Sequence, residues 1–355
     1  MVQNKGLIFK KAPEGWPVAG EHLAVEAREF DLEQQIPEGG LIVKNFYASF
    51  DPYQRGRMRD ASKKSYSPPF EMNAPITNRS IFKVVKSNNG DFKEGDVLIT
   101  LGITPIEEYS LLDAATVKTV RKLENPYNLD PKLFLGPLGM PGLTAWSSFY
   151  EIGQPKKGET IFISAASGAV GQLVGQLAKH EGLRVIGSVG DDKKLEFIKN
   201  ELKFDDGFNY KTEKPADALA RLAPNGVDIY YENVGGEQLE AAINAMNNFG
   251  RIIACGMISQ YNLKPEESYP IKNLMNVVAK RLTMRGFIVS DENMGPKYAV
   301  EHQQKLQKWL SEGTFIAKLS VTEGIDNGVE GFLGMLKGHN FGKAVLQIAD
   351  LEKEQ

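Results

Sequence analysis

The stretch SAASGAVGQLVGQLAKHEG, residues 164–182, sets Ala166, Gly168 and Gly171 directly after the apolar run TIFI. A pyrophosphate seats at a helix N-terminus only where backbone amides face it and no side chain blocks the approach. Gly168 permits that approach and Gly171 lets helix and strand pack closely, so A-x-G-x-x-G points to dinucleotide binding. Ala166 stands where the fingerprint has its first glycine, and the competing reading is a close-packed strand-turn-helix with no ligand. The end of the next strand selects the dinucleotide, an acid holding the ribose 2′-hydroxyl and a cation a 2′-phosphate. GSVGDDKKLEF, residues 187–197, carries both signs. Asp191 lies where an acid for NAD would stand; if Asp191 and Asp192 instead cap the next helix, Lys193 or Lys194 can point at a phosphate. The pattern alone leaves both open.

Other chemistries fare worse. A catalytic zinc needs cysteine, histidine and a further cysteine or carboxylate converging on it. His22, His180, His302 and His339 are scattered, and the lone Cys255 ends an apolar strand, where it reads as a buried structural thiol. YKTEK, residues 210–214, has the Tyr-x-x-x-Lys spacing with which a lysine lowers a phenol pKa. It follows a short strand rather than lying on a long helix, so it reads as coincidence. Asn78-Arg79-Ser80 fits a glycosylation acceptor by chance.

Positioning a dinucleotide loop requires a parallel sheet, and the middle of the chain has its grammar. Strands TIFISA, RVIGSV, FNYK, VDIYYENV and GRIIACG alternate with helices AVGQLVGQLAKHEG, KKLEFIKNEL, ADALARLA and EQLEAAINAMNN. Residues 1–128 instead show short apolar runs broken by Pro, Gly, Asn and Asp, as in a strand-rich domain, and the runs KLSVTEG and KAVLQIA near the end rejoin it. The expected division is 1–128, completed by 315–355, around an α/β domain at 129–314. At 355 residues with 42% apolar and 25% charged residues, two soluble globular domains are expected. A net charge of -3 offers no basic surplus for nucleic acid. The first residues lack the apolar core of a secretion signal, no segment has the length to span a bilayer, and LEKEQ is no peroxisomal address, so the cytoplasm is expected.

DPYQRGRM from Asp51, GMPGLTAW from Gly139, the glycine loop, FNYKT from Phe208, YYENVGG from Tyr230, CGMISQYN from Cys255 and NFGK from Asn340 occur in order. Together they resemble the zinc-independent medium-chain dehydrogenases/reductases, in the branch of NADPH-dependent alkenal double-bond reductases and prostaglandin reductases, over nearly the whole chain. The resemblance implies a GroES-like β-rich domain plus a Rossmann doubly wound parallel-sheet domain, NADPH as reductant, and a homodimer. It implies cofactor contact along the loop at Ala166, Gly168, Ala169, Val170 and Gly171. Lys194 and Tyr210 match positions at the 2′-phosphate, which tips the expectation to NADPH, with Gly190 between them. Asn233, Gly256 and Asn340 match positions nearer the nicotinamide, where Met140 and Thr144 also fall; Cys255 and Phe287 complete the expected contacts. Tyr261 matches a tyrosine over the nicotinamide and Tyr53 one lining the substrate pocket. Without the resemblance, DPYQRGRM reads as a turn with a solvated Arg55, Arg57, Arg59 run. Two departures stand out: ENV at Glu232 where the family has DNV, and GDDKK where it has GSxEK.

The implied reaction adds hydride to the β-carbon of an α,β-unsaturated aldehyde or ketone, gathering negative charge on the carbonyl oxygen. Tyr261, in the loop after GRIIACG, is the candidate donor to that oxygen; its alternative role is to pack over the nicotinamide. A quinone oxidoreductase is the close alternative reading, and a protein that binds NADPH without turnover the more distant one.

Overall fold

In the computed structural model, which describes residues 1–351 and 353, the alternating part of the chain forms a six-stranded parallel sheet. Glu352, Glu354 and Gln355, from the terminal LEKEQ, lie outside the described residues. In chain order the elements are α1 (Met140–Ser148), β1 (Thr160–Ile163), α2 (Gly171–His180), β2 (Arg184–Val189), α3 (Asp192–Asn200), β3 (Asp206–Asn209), α4 (Pro215–Leu222), β4 (Val227–Glu232), α5 (Gly236–Ala245), β5 (Met246–Ala254), β6 (Thr283–Gly286) and α6 (Gly295–Ser311). The strands lie in the order β3-β2-β1-β4-β5-β6, every pair parallel. This is a doubly wound Rossmann sheet, and its order reverses between β1 and β4, where such sheets bind ligands at their carboxyl ends.

Helices cover both faces of such a sheet, so its inner strands are continuous apolar runs. Ile161, Phe162 and Ile163 of β1 are fully buried, and the Phe162 ring stacks on Tyr230 of β4 at 5.0 Å. β6 lies at the sheet's edge with three of its four residues exposed, so no apolar run marks it in the sequence. Residues 246–248, read as the tail of a helix, open β5 instead. This unit comprises Gly136–Leu319 and Phe341–Lys343.

The other unit, Met1–Leu135 with Ser320–Asn340 and Ala344–Gln355, is β-rich. Its central strand, Leu41–Ser49, pairs antiparallel with Ser80–Ser87, with Tyr109–Leu112 and with Lys343–Gln347, so both ends of the chain build one sheet. Leu7, Phe9, Phe50, Phe332 and Leu346 share its core, where the Phe50 and Phe332 rings meet edge-on at 5.6 Å. This is the GroES-like half of the expected fold. Among the described residues, no helix is long and apolar enough to cross a membrane.

Candidate active site

The glycine loop turns between β1 and α2 through Ala165, whose φ of 49° is unusual for a residue with a side chain. Ala166 tolerates its methyl because the facing residue of β2 is Gly187, where a Cβ would lie 2.7 Å from that of Ala166. The amide of Ala166 donates to the Ser188 carbonyl at 2.9 Å, locking the turn to β2. A Cβ on Gly171 would sit 2.5 Å from the Ala165 carbonyl oxygen and 2.8 Å from the Ala166 Cα. One on Gly168 would sit 3.0 Å from the same carbonyl. Ala169 and Val170 complete the loop, and no side chain caps the N-terminus of α2 at Val170. The cradle is one that side chains would fill, and it fits a pyrophosphate.

At the ends of β2 and β3 both acids have partners within the fold. Asp191 caps α3, accepting the Lys194 amide at 2.9 Å, and lies 3.6 Å from the Lys194 ammonium. Asp192 accepts from the Asn209 side chain at 2.8 Å. Both acids are thus engaged with α3 and β3. Burial pushes the Lys194 ammonium below its usual range, Asp191 opposes that shift, and the nearby Lys211 adds to it. Burial and then Asp191 raise the Tyr210 phenol, so it is a proton donor at neutral pH. Its hydroxyl would lie 3.0 Å from a Cβ on Gly190, which places Gly190 beside Tyr210, while Asp191 acts on both Tyr210 and Lys194. Residues 210–214 form a turn leading into α4, not the helix that a Tyr-x-x-x-Lys couple would need.

At the reversal, Asn233 donates its amide to the Ser164 hydroxyl at 2.9 Å and its side chain to the Ser164 carbonyl at 2.7 Å. Glu232 before it is fully buried, and burial raises its carboxyl above the usual range. The folded chain therefore holds that proton more tightly than the unfolded one. Its contribution to stability is complete below the unfolded value and is lost as pH rises through the folded value. Chemical denaturation between about pH 5 and about pH 8 is expected to show the parent losing stability relative to Glu232→Gln as pH rises.

After β5, Gly256 lies under Tyr261: a Cβ there would be 2.8 Å from the phenol oxygen, which accepts the Met257 amide at 3.2 Å. Cys255, next in line, has its thiol pushed up to about 12 by burial, so it is no thiolate at neutral pH. A hydrogen-bonded chain runs from Tyr231 to Ser148 at 2.7 Å and from Ser148 to the Thr144 carbonyl at 2.8 Å. The Thr144 hydroxyl lies 3.4 Å from the Met140 sulfur. Phe287 is half-buried immediately after β6.

NFGK divides. Asn340 closes a segment of the β-rich unit, whereas Phe341–Lys343 belong with the nucleotide loop. Gly342 bridges Gly168 in parallel, and its φ of 79° brings its Cα so near the Lys318 carbonyl that a Cβ would be 2.0 Å from it. Phe341 meets Phe197 of α3 edge-on at 4.9 Å. Gly342, Gly187 and Ser164 were missed as site residues; for Gly342 the quoted NFGK motif was the available signal.

In the β-rich unit, Tyr53 donates its hydroxyl to Asn78 Oδ1 at 2.8 Å. Asn78 is fully buried and donates in turn to the Ser49 carbonyl, Asp51 and Gln54. Burial raises the Tyr53 phenol, with Asp51 adding to it. Two of the three arginines are not solvated, contrary to the plain-turn reading, while Arg59 is half-buried. Arg55 and Arg57 are buried, Arg55 donating to the Gly15 carbonyl and Arg57 to Pro68 and Thr77 while lying 4.3 Å over the Phe70 ring. Among the described residues, no group of three or more His, Cys, Asp or Glu side chains converges as a metal site would require.

Residues 169–304 match the family described as zinc-binding dehydrogenase, and residues 5–120 the N-terminal domain of oxidoreductase. The chain is 57% identical to NADP-dependent oxidoreductase RED1 of Cochliobolus heterostrophus over 99% of both chains. It is 40% identical to 2-alkenal reductase (NADP(+)-dependent) of Nicotiana tabacum over 98% of both. The crystal structure of CurA in complex with NADPH from Vibrio vulnificus superposes with a TM-score of 0.88 at 34% identity, covering 98% of this chain and 99% of that one.

Proposed function

Because the chain belongs to the medium-chain dehydrogenase/reductase family as an NADP-dependent oxidoreductase, we propose that it reduces the carbon–carbon double bond of α,β-unsaturated aldehydes and ketones. The carrying observation is the Tyr261 phenol held at the carboxyl end of β5, its oxygen accepting the Met257 amide while its O–H stays a donor by chemistry. The alkenal reductase from Nicotiana tabacum supports the substrate class.

NADPH, when bound, supplies the hydride. The glycine loop holds its pyrophosphate through Gly168, Ala169, Val170 and Gly171. Lys194 and Tyr210 meet the 2′-phosphate, and Asn233, Cys255 and Gly256 with Met140 and Thr144 bound the nicotinamide half. Phe287 and Asn340 complete the contacts, and Tyr53 lines the substrate pocket. Tyr261 donates to the substrate carbonyl oxygen as enolate charge collects there, and either it or solvent delivers the proton that finishes at the α-carbon. No zinc takes part, so exhaustive dialysis against a chelator is expected to leave turnover unchanged. The protein acts in the cytoplasm as a homodimer. Support for the dimer comes from the edge strand β6, with Met284 exposed, and from the exposed Leu274, Met275 and Val278 that precede it in the chain.

A spectrophotometric screen of NADPH oxidation tests the reading. Clean saturation of enals or enones supports it; turnover confined to quinones with semiquinone formation replaces it by quinone reduction, and no turnover with any of them makes the chain a binder. Lys194→Ala is expected to weaken NADPH by about 10- to 100-fold, as losing a charge-assisted hydrogen bond does. NADH should stay within about twofold, and fluorescence titration reads both.

A further inference from the structure

Glu232 ends β4 fully buried, with its donors gathered on one carboxyl oxygen. Oε1 accepts the amides of Val234 and Gly235 at 2.6 and 2.8 Å and the Tyr230 hydroxyl at 3.0 Å, with the Ser164 hydroxyl at 3.4 Å. Oε2 is buried with no hydrogen-bond partner. Burying a carboxyl is costly, and an apolar side chain would serve packing alone better. What the carboxyl achieves is local. Gly235 and Gly236 both take positive φ, at 76° and 59°, so the chain turns sharply there and two successive amides converge on Oε1.

The residue caught inside this turn is Asn233. Glu232 holds the amides that follow it, while Ser164, at the end of β1, holds Asn233 by its own amide and side chain. Ser164 also lies within reach of Glu232, so the two anchors are themselves joined across the sheet's reversal.

We propose that Glu232 is a positioning residue for the cofactor, its Oε1 fixing the Val234–Gly235 turn so that Asn233 is held against Ser164 to receive the nicotinamide half of NADP. This rests on the reading that Asn233 contacts the cofactor. The longer Glu in place of the family's Asp then serves as an anchor for the turn.

The test compares NADPH with 2′,5′-ADP, which carries only the adenosine half, by titration calorimetry on the full chain. Glu232→Met, close in volume but without an acceptor, is expected to weaken NADPH about tenfold while 2′,5′-ADP stays within about twofold. Glu232→Gln, which restores an oxygen at the same reach, is expected to recover NADPH to within about threefold of the parent. Asn233→Ala should weaken NADPH about as much as Glu232→Met, and the two changes together no more than Asn233→Ala alone. If Glu232→Met does not fold, Glu232→Ala, whose cavity admits water to the stranded amides, carries the same comparison. Equal losses for both ligands, or unchanged NADPH in the Glu232 variants while Asn233→Ala weakens it, overturn the proposal and leave the reading of Asn233 standing. Unchanged NADPH in Asn233→Ala overturns that reading and the proposal with it.

Discussion

Tyr261→Phe is expected to lower the rate of hydride transfer by about 10²-fold while the NADPH Kd stays within about twofold. The local geometry makes the change a clean one. The phenol oxygen sits directly over Gly256 and accepts the Met257 amide at 3.2 Å, so the ring is placed by its loop, and phenylalanine keeps its volume. The variant loses the hydroxyl and strands one amide, which water can reach because the loop is half-exposed. Removing one donor from a developing oxyanion costs about 10²- to 10³-fold in comparable sites. Stopped-flow single turnovers at the NADPH absorbance, with product identified, measure it. An unchanged transfer rate with unchanged product removes Tyr261 from the chemistry and leaves it as packing.

Gly171→Ala is expected to be the most damaging single methyl in the nucleotide loop. Its Cβ would meet the Ala165 carbonyl oxygen at 2.5 Å and the Ala166 Cα at 2.8 Å, both backbone. Neither can move without unseating the turn, because Ala166 is tied to Ser188 and Gly168 donates to that same Ala165 carbonyl at 2.9 Å. Overpacking of this kind costs about 1–3 kcal/mol, a fall in Tm of roughly 5 °C for a domain of this size. NADPH binding suffers more, since the displaced atoms are the cradle, and a loss of about 100-fold is expected. Gly90→Ala, where a Cβ meets nothing within 4 Å, is the control and should match the parent in both. Thermal melts and calorimetry on the two variants decide it, and an unimpaired Gly171→Ala would show that the loop does not seat the pyrophosphate.

The doubly wound sheet was legible because burial on both faces writes its inner strands as unbroken apolar runs. Where burial fails, so did the reading. β6 is an exposed edge with neither alternation nor an apolar run, and Met246–Asn248 look helical because a lone buried Met246 followed by two asparagines carries no strand pattern. At the site, composition announced the glycine loop, but only coordinates assign Asp191 to the cap of α3, where it also lies 3.6 Å from the Lys194 ammonium. Glu232 was visible merely as a departure from a motif, since hydrogen bonds that fold a carboxyl back on the amides of Val234 and Gly235 leave no periodic trace. The buried Arg55 and Arg57 misled for a related reason: a guanidinium satisfied by backbone carbonyls looks, in sequence, like one facing water.

The bridge from Gly168 to Gly342 also sets an order of events during synthesis. The dinucleotide loop is translated long before Gly342, whose backbone bridges it. Nascent chains stalled before that point carry a loop lacking its neighbour. A circular permutation that opens the chain between the two glycines would reverse their order, so that Gly342 is made before Gly168.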